Sequence, residues 1–179
     1  MASTAGIVAG SLIIVFAVVG ATFIISTSQL KPEVIFSFDA QFGRVDESRA
    51  LYEGPARSSS GIMNETFIVR MTNFKPEDAT NITIIITAEP KTTDWFVLEE
   101  AKLSFGNYPF IAEGNKAIIK LLPAGQTSSV RFSVRLNTTA IEVNNALSDR
   151  SIIDFEITYD GINRPISRVI NVKIPPWRP

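Results

Sequence analysis

The sequence predicts a mainly β protein in which an N-terminal transmembrane helix precedes a single antiparallel β-sandwich. Three observations support this fold class. The first 30 residues carry no charged side chain, several later runs alternate apolar and polar residues with the period of a strand, and no strongly amphipathic helical pattern follows residue 31. We therefore divide the chain into a helix at 1–30, a sandwich domain at 31–174 and a Pro-rich tail at 175–179.

The apolar stretch at 7–25 is about as long as a helix must be to cross the hydrocarbon core of a bilayer. Lys31-Pro32 then ends the helix, because proline cannot continue it and disfavours helical geometry in the preceding residue. A cleaved signal peptide is the alternative, with residues 19–21 as its cleavage site, but no Lys or Arg precedes the apolar run. We favour a retained anchor in membrane lipid, with the large domain outside the cell.

Small residues are spaced four apart along this helix. Gly6 and Gly10 form a GxxxG pair, and Ala17 and Ala21 repeat the spacing. Residues spaced in this way share one helix face and let two backbones approach closely, so they predict helix packing in the membrane. Gly and Ala are also frequent in membrane helices generally, and that interpretation stays open.

Eight runs rich in β-branched and aromatic residues predict seven or so short strands. The run at 130–136 is the clearest, because its apolar residues share one face while Arg131 and Arg135 take the other. Asp160-Gly161 separates two alternating runs and predicts a hairpin. The runs lie at 34–38, 66–71, 81–87, 95–98, 117–122, 130–136, 153–159 and 166–174.

Polar, turn-rich segments separate these runs. Residues 43–61 contain Gly-Pro and a serine triplet, which predicts a loop or a weakly ordered insertion. Residues 137–151 are rich in Asn and predict a short helix around 141–147. The prolines at 175–179 exclude a central strand there.

The composition argues against catalysis and against nucleic-acid binding. The chain has no Cys and no His, which removes thiolate chemistry, the usual base at neutral pH and the commonest zinc ligand. Its 17 basic and 18 acidic residues leave no basic field for a phosphate backbone. The carboxylate pairs Glu99-Glu100 and Glu77-Asp78 are expected to point to opposite faces of a strand. We expect no enzyme activity, cofactor or metal site. Calcium bound by loop carboxylates such as Asp149 or Asp160 is the alternative that stays open.

Three N-x-T sequons begin at Asn64, Asn81 and Asn137. Such sequons accept N-linked glycan at the surface of an exported protein. Asn64 and Asn137 lie in loop-like surroundings and are better candidates than Asn81, which lies in a predicted strand. The alternative is that the three sequons occur by chance, since Thr is frequent in this domain.

Two parts of the sequence resemble archaeal cell-surface proteins. The opening MASTAG…LIIVFAVVGATFIISTSQL is similar to the N-terminus of the archaellum accessory subunits known as the F and G stator proteins. The runs IVRMTNFKPEDATNITIIIT, LPAGQTSSVRFSVRL and FEITYDG are similar to archaeal adhesion-type sandwiches. The resemblance implies an immunoglobulin-like sandwich on a single membrane span, facing the extracellular or pseudo-periplasmic side. It also implies a partner, either an S-layer protein or a neighbouring stator subunit.

Several functions stay open at this point. The first is a non-enzymatic anchored module that binds another surface protein through a sheet edge or loops. The second is an accessory subunit of an integral membrane complex, held as a homo- or hetero-oligomer through Gly6 and Gly10. A pilin-like filament subunit lacks support, because the Lys/Arg-Gly processing site expected before its helix is missing. A surface hydrolase would need ionisable side chains that converge in one pocket.

Deletion of residues 1–30 is expected to leave a soluble, folded, β-rich domain, because the predicted sandwich buries its own core. Circular dichroism of the purified fragment measures this. A helical or unfolded spectrum would contradict the two-part architecture.

Overall fold

The structure is a computed structural model that describes residues 33–55, 61–91, 94–147 and 150–175. These ranges hold eleven strands and one helix. In chain order they are β1 (Val34–Ala40), β2 (Arg44–Asp46), β3 (Leu51–Glu53), β4 (Ile62–Asn73), β5 (Ala79–Glu89), β6 (Phe96–Phe105), β7 (Phe110–Glu113), β8 (Lys116–Leu122), β9 (Thr127–Asn137), α1 (Thr138–Ala146), β10 (Ile152–Thr158) and β11 (Ile166–Lys173).

The predicted membrane anchor lies outside the described residues. This applies to the whole of 1–30, including the packing candidates Gly6, Gly10, Ala17 and Ala21, and to residues 176–179 of the tail. Across the ranges that are described, no helix has the length and apolar character needed to cross a bilayer.

The strands form two sheets that pack face to face, so the predicted mainly β sandwich is confirmed. The four-stranded sheet has the order β1-β4-β9-β6, and the seven-stranded sheet has the order β2-β3-β11-β10-β5-β8-β7. Neighbouring strands are antiparallel, including the predicted hairpin of β10 and β11, with one exception. The pairing of β3 with β11 is parallel, so the prediction of an entirely antiparallel sandwich is wrong there.

The segment at 43–61 was predicted as a loop or insertion, and this prediction is wrong for its described part. It supplies β2 and β3, and the side chain of Tyr52 is fully buried. Strands of three residues are too short to show an alternating pattern. The pairing of β3 with β11 is also distant in sequence, so no local signal reports it.

The other predicted strands lie at or within observed strands that are generally longer. β6 runs to Phe105 rather than ending at residue 98, and β7 was not predicted at all. The predicted short helix is present as α1, three residues earlier than expected. Asn137 caps it, because its side-chain oxygen accepts a hydrogen bond from the backbone N–H of Ala140 at 3.1 Å.

Aromatic rings join the two sheets. Phe155 on β10 contacts Phe38, Phe67 and Phe132 of the four-stranded sheet, with ring centroids 5.2, 6.1 and 6.0 Å away. All four side chains are buried, and the tilted or edge-on geometry is the favourable one for aromatic pairs. The core therefore depends on the alternation that places these residues on the inner faces of β1, β4, β9 and β10.

A buried carboxylate fastens the two sheets to each other. Glu65 on β4 is 1 % exposed. Its Oε1 accepts the backbone N–H groups of Gln41 and Phe42 at 3.0 and 3.1 Å, and its Oε2 accepts that of Gly43 at 2.8 Å. The hydroxyl of Tyr52 on β3 also donates to Oε2. These donors offset the cost of burying a charge without a cationic side chain.

The two ends of the sandwich differ in which connections they hold. We call the end at which residue 33 leads into β1 the near end, and the opposite end, which holds α1 and Glu65, the far end. The near end also contains the turns at 74–78, 106–109, 123–126 and 159–165. β11 runs from the near end to the far end, so the described chain begins and finishes at opposite ends.

Tyr52→Phe is expected to flatten the loss of stability at alkaline pH. Burial first, and then the bond to Glu65, raises the pKa of Tyr52 far above its ordinary value of 10.0. Above about pH 10 the unfolded chain therefore releases a proton that the folded chain keeps, and wild-type stability falls by about 1.4 kcal/mol per pH unit from this residue. Urea unfolding of the full chain in detergent at about pH 9, 10 and 11 measures the difference. Equal slopes for both proteins would contradict the assignment.

Candidate docking groove

A groove runs along the open side of the sandwich, where the two sheets end in β6 and β7. It has a volume of about 590 Å³. Its lining comprises Leu98, Glu99, Glu100, Ala101, Ala112, Gly114 and Asn115. A smaller hollow of about 330 Å³ beside Trp95 shares Asn115 with it. Together the groove and this hollow lie along most of the first half of β6.

A β-bulge places two carboxylates on this groove. The register of β6 with β9 shifts between Leu98 and Glu100, so Glu99 has no partner residue on β9. The bulge breaks the alternation of faces, and both Glu99 and Glu100 line the groove. The expectation that these neighbours point to opposite faces is therefore wrong.

Each of the two carboxylates lies near a cation. Glu99 is 3.9 Å from the guanidinium of Arg135, and Glu100 pairs with the ammonium of Lys102. All four side chains are between 44 and 68 % exposed, so these pairs add little to stability. The two solvated carboxylates therefore lie beside outer-face cations of the four-stranded sheet, at the rim of the groove.

The backbone of β6 is open toward this groove. The carbonyl of Trp95 accepts the N–H of Asn137 at 2.8 Å, which makes Phe96 and Leu136 a non-hydrogen-bonded pair. The N–H and C=O groups of Phe96 and Leu98 consequently point away from β9. In the described residues no strand pairs with β6 on that side.

The opposite edge of the same sheet is blocked. The N–H of Phe38 on β1 donates to the carboxylate of Glu47 at 2.9 Å, and that of Ala40 donates to the side chain of Asp39 at 2.8 Å. Side-chain acceptors on outward N–H groups prevent another strand from pairing there. The four-stranded sheet thus has one blocked edge and one open edge.

A third hollow, of about 420 Å³, lies where β3, β11 and the region after α1 meet. Arg49, Arg150 and Lys173 are among the residues that line it. Arg49 is paired with Asp46 at 3.5 Å, and Lys173 stands beside Glu53 in the parallel pair of strands. Because acids accompany two of its three cations, this hollow is a weaker candidate than the groove.

In the described residues no group of three or more Asp or Glu side chains could hold a metal ion. Asp160 instead accepts hydrogen bonds from Thr80 and Asn81 at 2.6 and 2.8 Å, and the bond from Thr80 contributes most to lowering its pKa. These contacts hold the turn after β10 against β5.

The structure changes the ranking of the three sequons. Asn64 lies inside β4 rather than in a loop, and its side chain is exposed on the outer face of the four-stranded sheet. Asn81 is exposed but bound to Asp160, with a left-handed φ of 51°. Asn137 is half-buried and caps α1. Of the three Asn side chains, that of Asn64 contributes least to holding a turn or a helix cap. Its use as a glycan acceptor stays a prediction.

No protein-family model matches the sequence, and no curated protein matches it. Solved structures that are similar to it include a family 123 glycoside hydrolase from Clostridium perfringens, with a TM-score of 0.39 and 10 % identity over 79 % of this chain. A cohesin module of a family 33 glycoside hydrolase from the same organism gives a TM-score of 0.38 and 9 % identity, again over 79 % of this chain. A GH20 exo-β-N-acetylglucosaminidase from Vibrio harveyi gives 0.26 and 15 % over 79 %.

The coverage of these structures differs. The chain corresponds to the whole of the cohesin module, but to only 28 % of the family 123 hydrolase and 18 % of the GH20 enzyme. At these TM-scores the likeness carries no functional argument. The case for function therefore depends on the geometry of the chain itself.

Asn64→Gln is expected to remove one glycan from the full chain expressed in a glycosylating host, because Asn64 is exposed and its side chain holds no turn or helix cap. The gel mobility and intact mass of the purified protein measure this. Asn137→Gln serves as the comparison. A mass change for Asn137→Gln with none for Asn64→Gln would contradict the ranking.

Proposed function

We propose that this protein is a non-enzymatic, membrane-anchored module that binds another protein by accepting an extended segment along β6. The observation that carries the proposal is the open edge of β6 beside a groove of suitable size. Main-chain hydrogen bonds to such an edge supply affinity, and pockets for alternate side chains supply specificity.

The charge of the groove suggests which segment it accepts. Glu99 and Glu100 stand at its rim, while Leu98, Ala101 and Ala112 add apolar surface. A strand with Lys or Arg on one side and small apolar residues on the other would complement this lining. The carboxylates would then select the partner and orient it, and the backbone of β6 would hold it.

The sequence supplies the cellular setting of this proposal. The uncharged stretch at 1–30 supports an anchor, and the sequons support an exported domain. The resemblance to archaellum stator subunits suggests an S-layer protein or a neighbouring subunit as the partner, on the outer side of an archaeal membrane. The immunoglobulin-like assignment of the sandwich rests on the same resemblance.

The double variant Glu99→Lys, Glu100→Lys is expected to lower the yield of co-purified partner about tenfold or more, because like charges across an interface cost at least about 1.4 kcal/mol. The measurement compares tagged full-length proteins cross-linked and purified from the native membrane. The ion pairs that are lost are exposed, so stability should change by less than about 1 kcal/mol.

The matched control is Asp154→Lys, Glu156→Lys, which makes the same charge change on the outer face of β10 in the other sheet. This control is expected to keep the partner. Equal retention by both double variants would place the contact elsewhere than the groove.

A further inference from the structure

We propose that the near end of the four-stranded sheet rests on the membrane surface through a patch formed by Ile35, Phe74 and Phe105. This inference rests on the anchor in the proposed function and goes beyond it. It states which face of the sandwich meets the lipid, and therefore how the domain is tilted.

The three side chains share the outer face of the sheet at its near end, and we call them together the patch. Ile35 pairs with Thr72, and Phe74 follows two residues later on the same face. Phe105 lies across the sheet on β6, opposite Ser129. The threonines between them, Thr72 and Thr127, are small and bond to each other at 3.0 Å. Ile35 and Phe74 therefore lie toward one edge of this face and Phe105 at the other, with polar residues such as Arg70 between them.

These apolar side chains are exposed although they sit at the rim of a well-packed domain. Ile35 is 57 % exposed, Phe74 is 54 % exposed and Phe105 is 61 % exposed. Isolated exposed apolar residues are ordinary, but three large ones at the same end of one sheet face favour an interaction surface.

The backbone holds Phe74 in this exposed position. Its N–H donates to the carbonyl of Glu33 at 3.1 Å. The neighbouring Asn73 is fully buried, and its side chain bonds to the backbone of Lys75, Glu77 and Leu122. Asn73 therefore ties the turn at 74–78 to the end of β8, and Phe74 projects from a fixed turn.

Phe105 is fixed in a comparable way. A second β-bulge shifts the register between Leu103 and Phe105, and the hydroxyl of Ser128 donates to the carbonyl of Phe105 at 2.9 Å. Gly106 follows with a φ of 91°, a conformation that favours glycine. A Cβ at Gly106 would also meet the ring of Tyr108 at 2.3 Å.

The short connection between the predicted anchor and Ile35 favours lipid as the occupant of the patch. Ile35 is five residues after the predicted end of the anchor at residue 30, and five extended residues span at most about 18 Å. The polar zone of a bilayer is roughly 5–7 Å thick on each side. Ile35 is thus held within reach of the headgroups, and the near end of the sheet is held with it. Phe and Ile are suited to the boundary between headgroups and acyl chains, and the exposed Arg70 next to the patch suits lipid phosphate.

The contact would tilt the sandwich toward its four-stranded sheet. Asn64 would stay clear of the lipid, because it is eight residues from Thr72 along β4, about 27 Å away. The groove on β6 begins at the far end and would also stay accessible.

Site-directed spin labelling tests the proposal. The chain has no cysteine, so Phe74→Cys, Phe105→Cys and Phe42→Cys each give one labelled site. Phe42 is the matched control, since it is also a phenylalanine, is 58 % exposed, and lies at the far end. Each labelled full-length chain is reconstituted in phosphatidylcholine vesicles, and collisions with oxygen and with a water-soluble nickel complex are measured.

Labels at positions 74 and 105 are expected to collide more with oxygen than with nickel, and the label at 42 is expected to show the reverse. If all three labels collide with oxygen and nickel as a label in water does, the proposal is overturned. The anchor itself still stands in that case, provided that the chain resists alkaline extraction. Release of the chain by alkaline extraction would instead refute the anchor itself. Spin–spin broadening at 105 that disappears on dilution with unlabelled protein would show that a second copy covers the patch, which also overturns the proposal.

Discussion

The carboxylate of Glu65 is the interaction on which the far end of the sandwich depends. Its two oxygens collect three consecutive backbone N–H groups and the hydroxyl of Tyr52. The chain must cross from the four-stranded sheet to the seven-stranded sheet at residues 41–43. The N–H of Gln41 still reaches the carbonyl of Thr66 on β4 at 3.0 Å, whereas those of Phe42 and Gly43 lie beyond the end of β1. Glu65 satisfies them from inside the core, and Tyr52 brings β3 to the same point.

The contacts of Glu65 with the loop at 41–43 also affect the edges of the four-stranded sheet. The loop that Glu65 fixes leads into the segment holding Glu47, whose carboxylate blocks the N–H of Phe38 on β1. Among the described residues, no side-chain acceptor covers the N–H groups of Phe96 and Leu98 at the other edge, and β6 carries bulges at Glu99 and Ser104. One side of the sandwich is thus protected by its own side chains, and the other presents backbone groups and a groove. The proposed docking site follows from this asymmetry.

Sequence patterns located the long strands well. In the run at 130–136 the polarity of each residue indicates which face of the strand it occupies, because one face packs in the core and the other meets solvent. The missed features are those in which a distant residue decides the outcome. Tyr52 is buried by β11 and Glu65, and β7 exists because it pairs with β8.

The candidate site was less predictable than the fold. Local alternation placed Glu99 and Glu100 on opposite faces, whereas a register shift against β9 brings both to the groove. Asn64 looked like a loop residue because β4 extends several residues beyond its apolar run. Bulges and strand extensions are set by the partner strand, so a single run of residues does not reveal them.

The placement of β1 has a mechanical consequence. The chain enters the near end through β1, whose seven residues all pair with β4. A pull on residue 33 away from the domain acts along the strand axis, so it loads the pairs between β1 and β4 in shear. Bonds loaded in shear share the force and must fail together, whereas a strand pulled sideways loses them one at a time. Tension between residue 33 and a partner proposed to bind β6 would therefore be shared by these pairs and would not peel them apart one at a time.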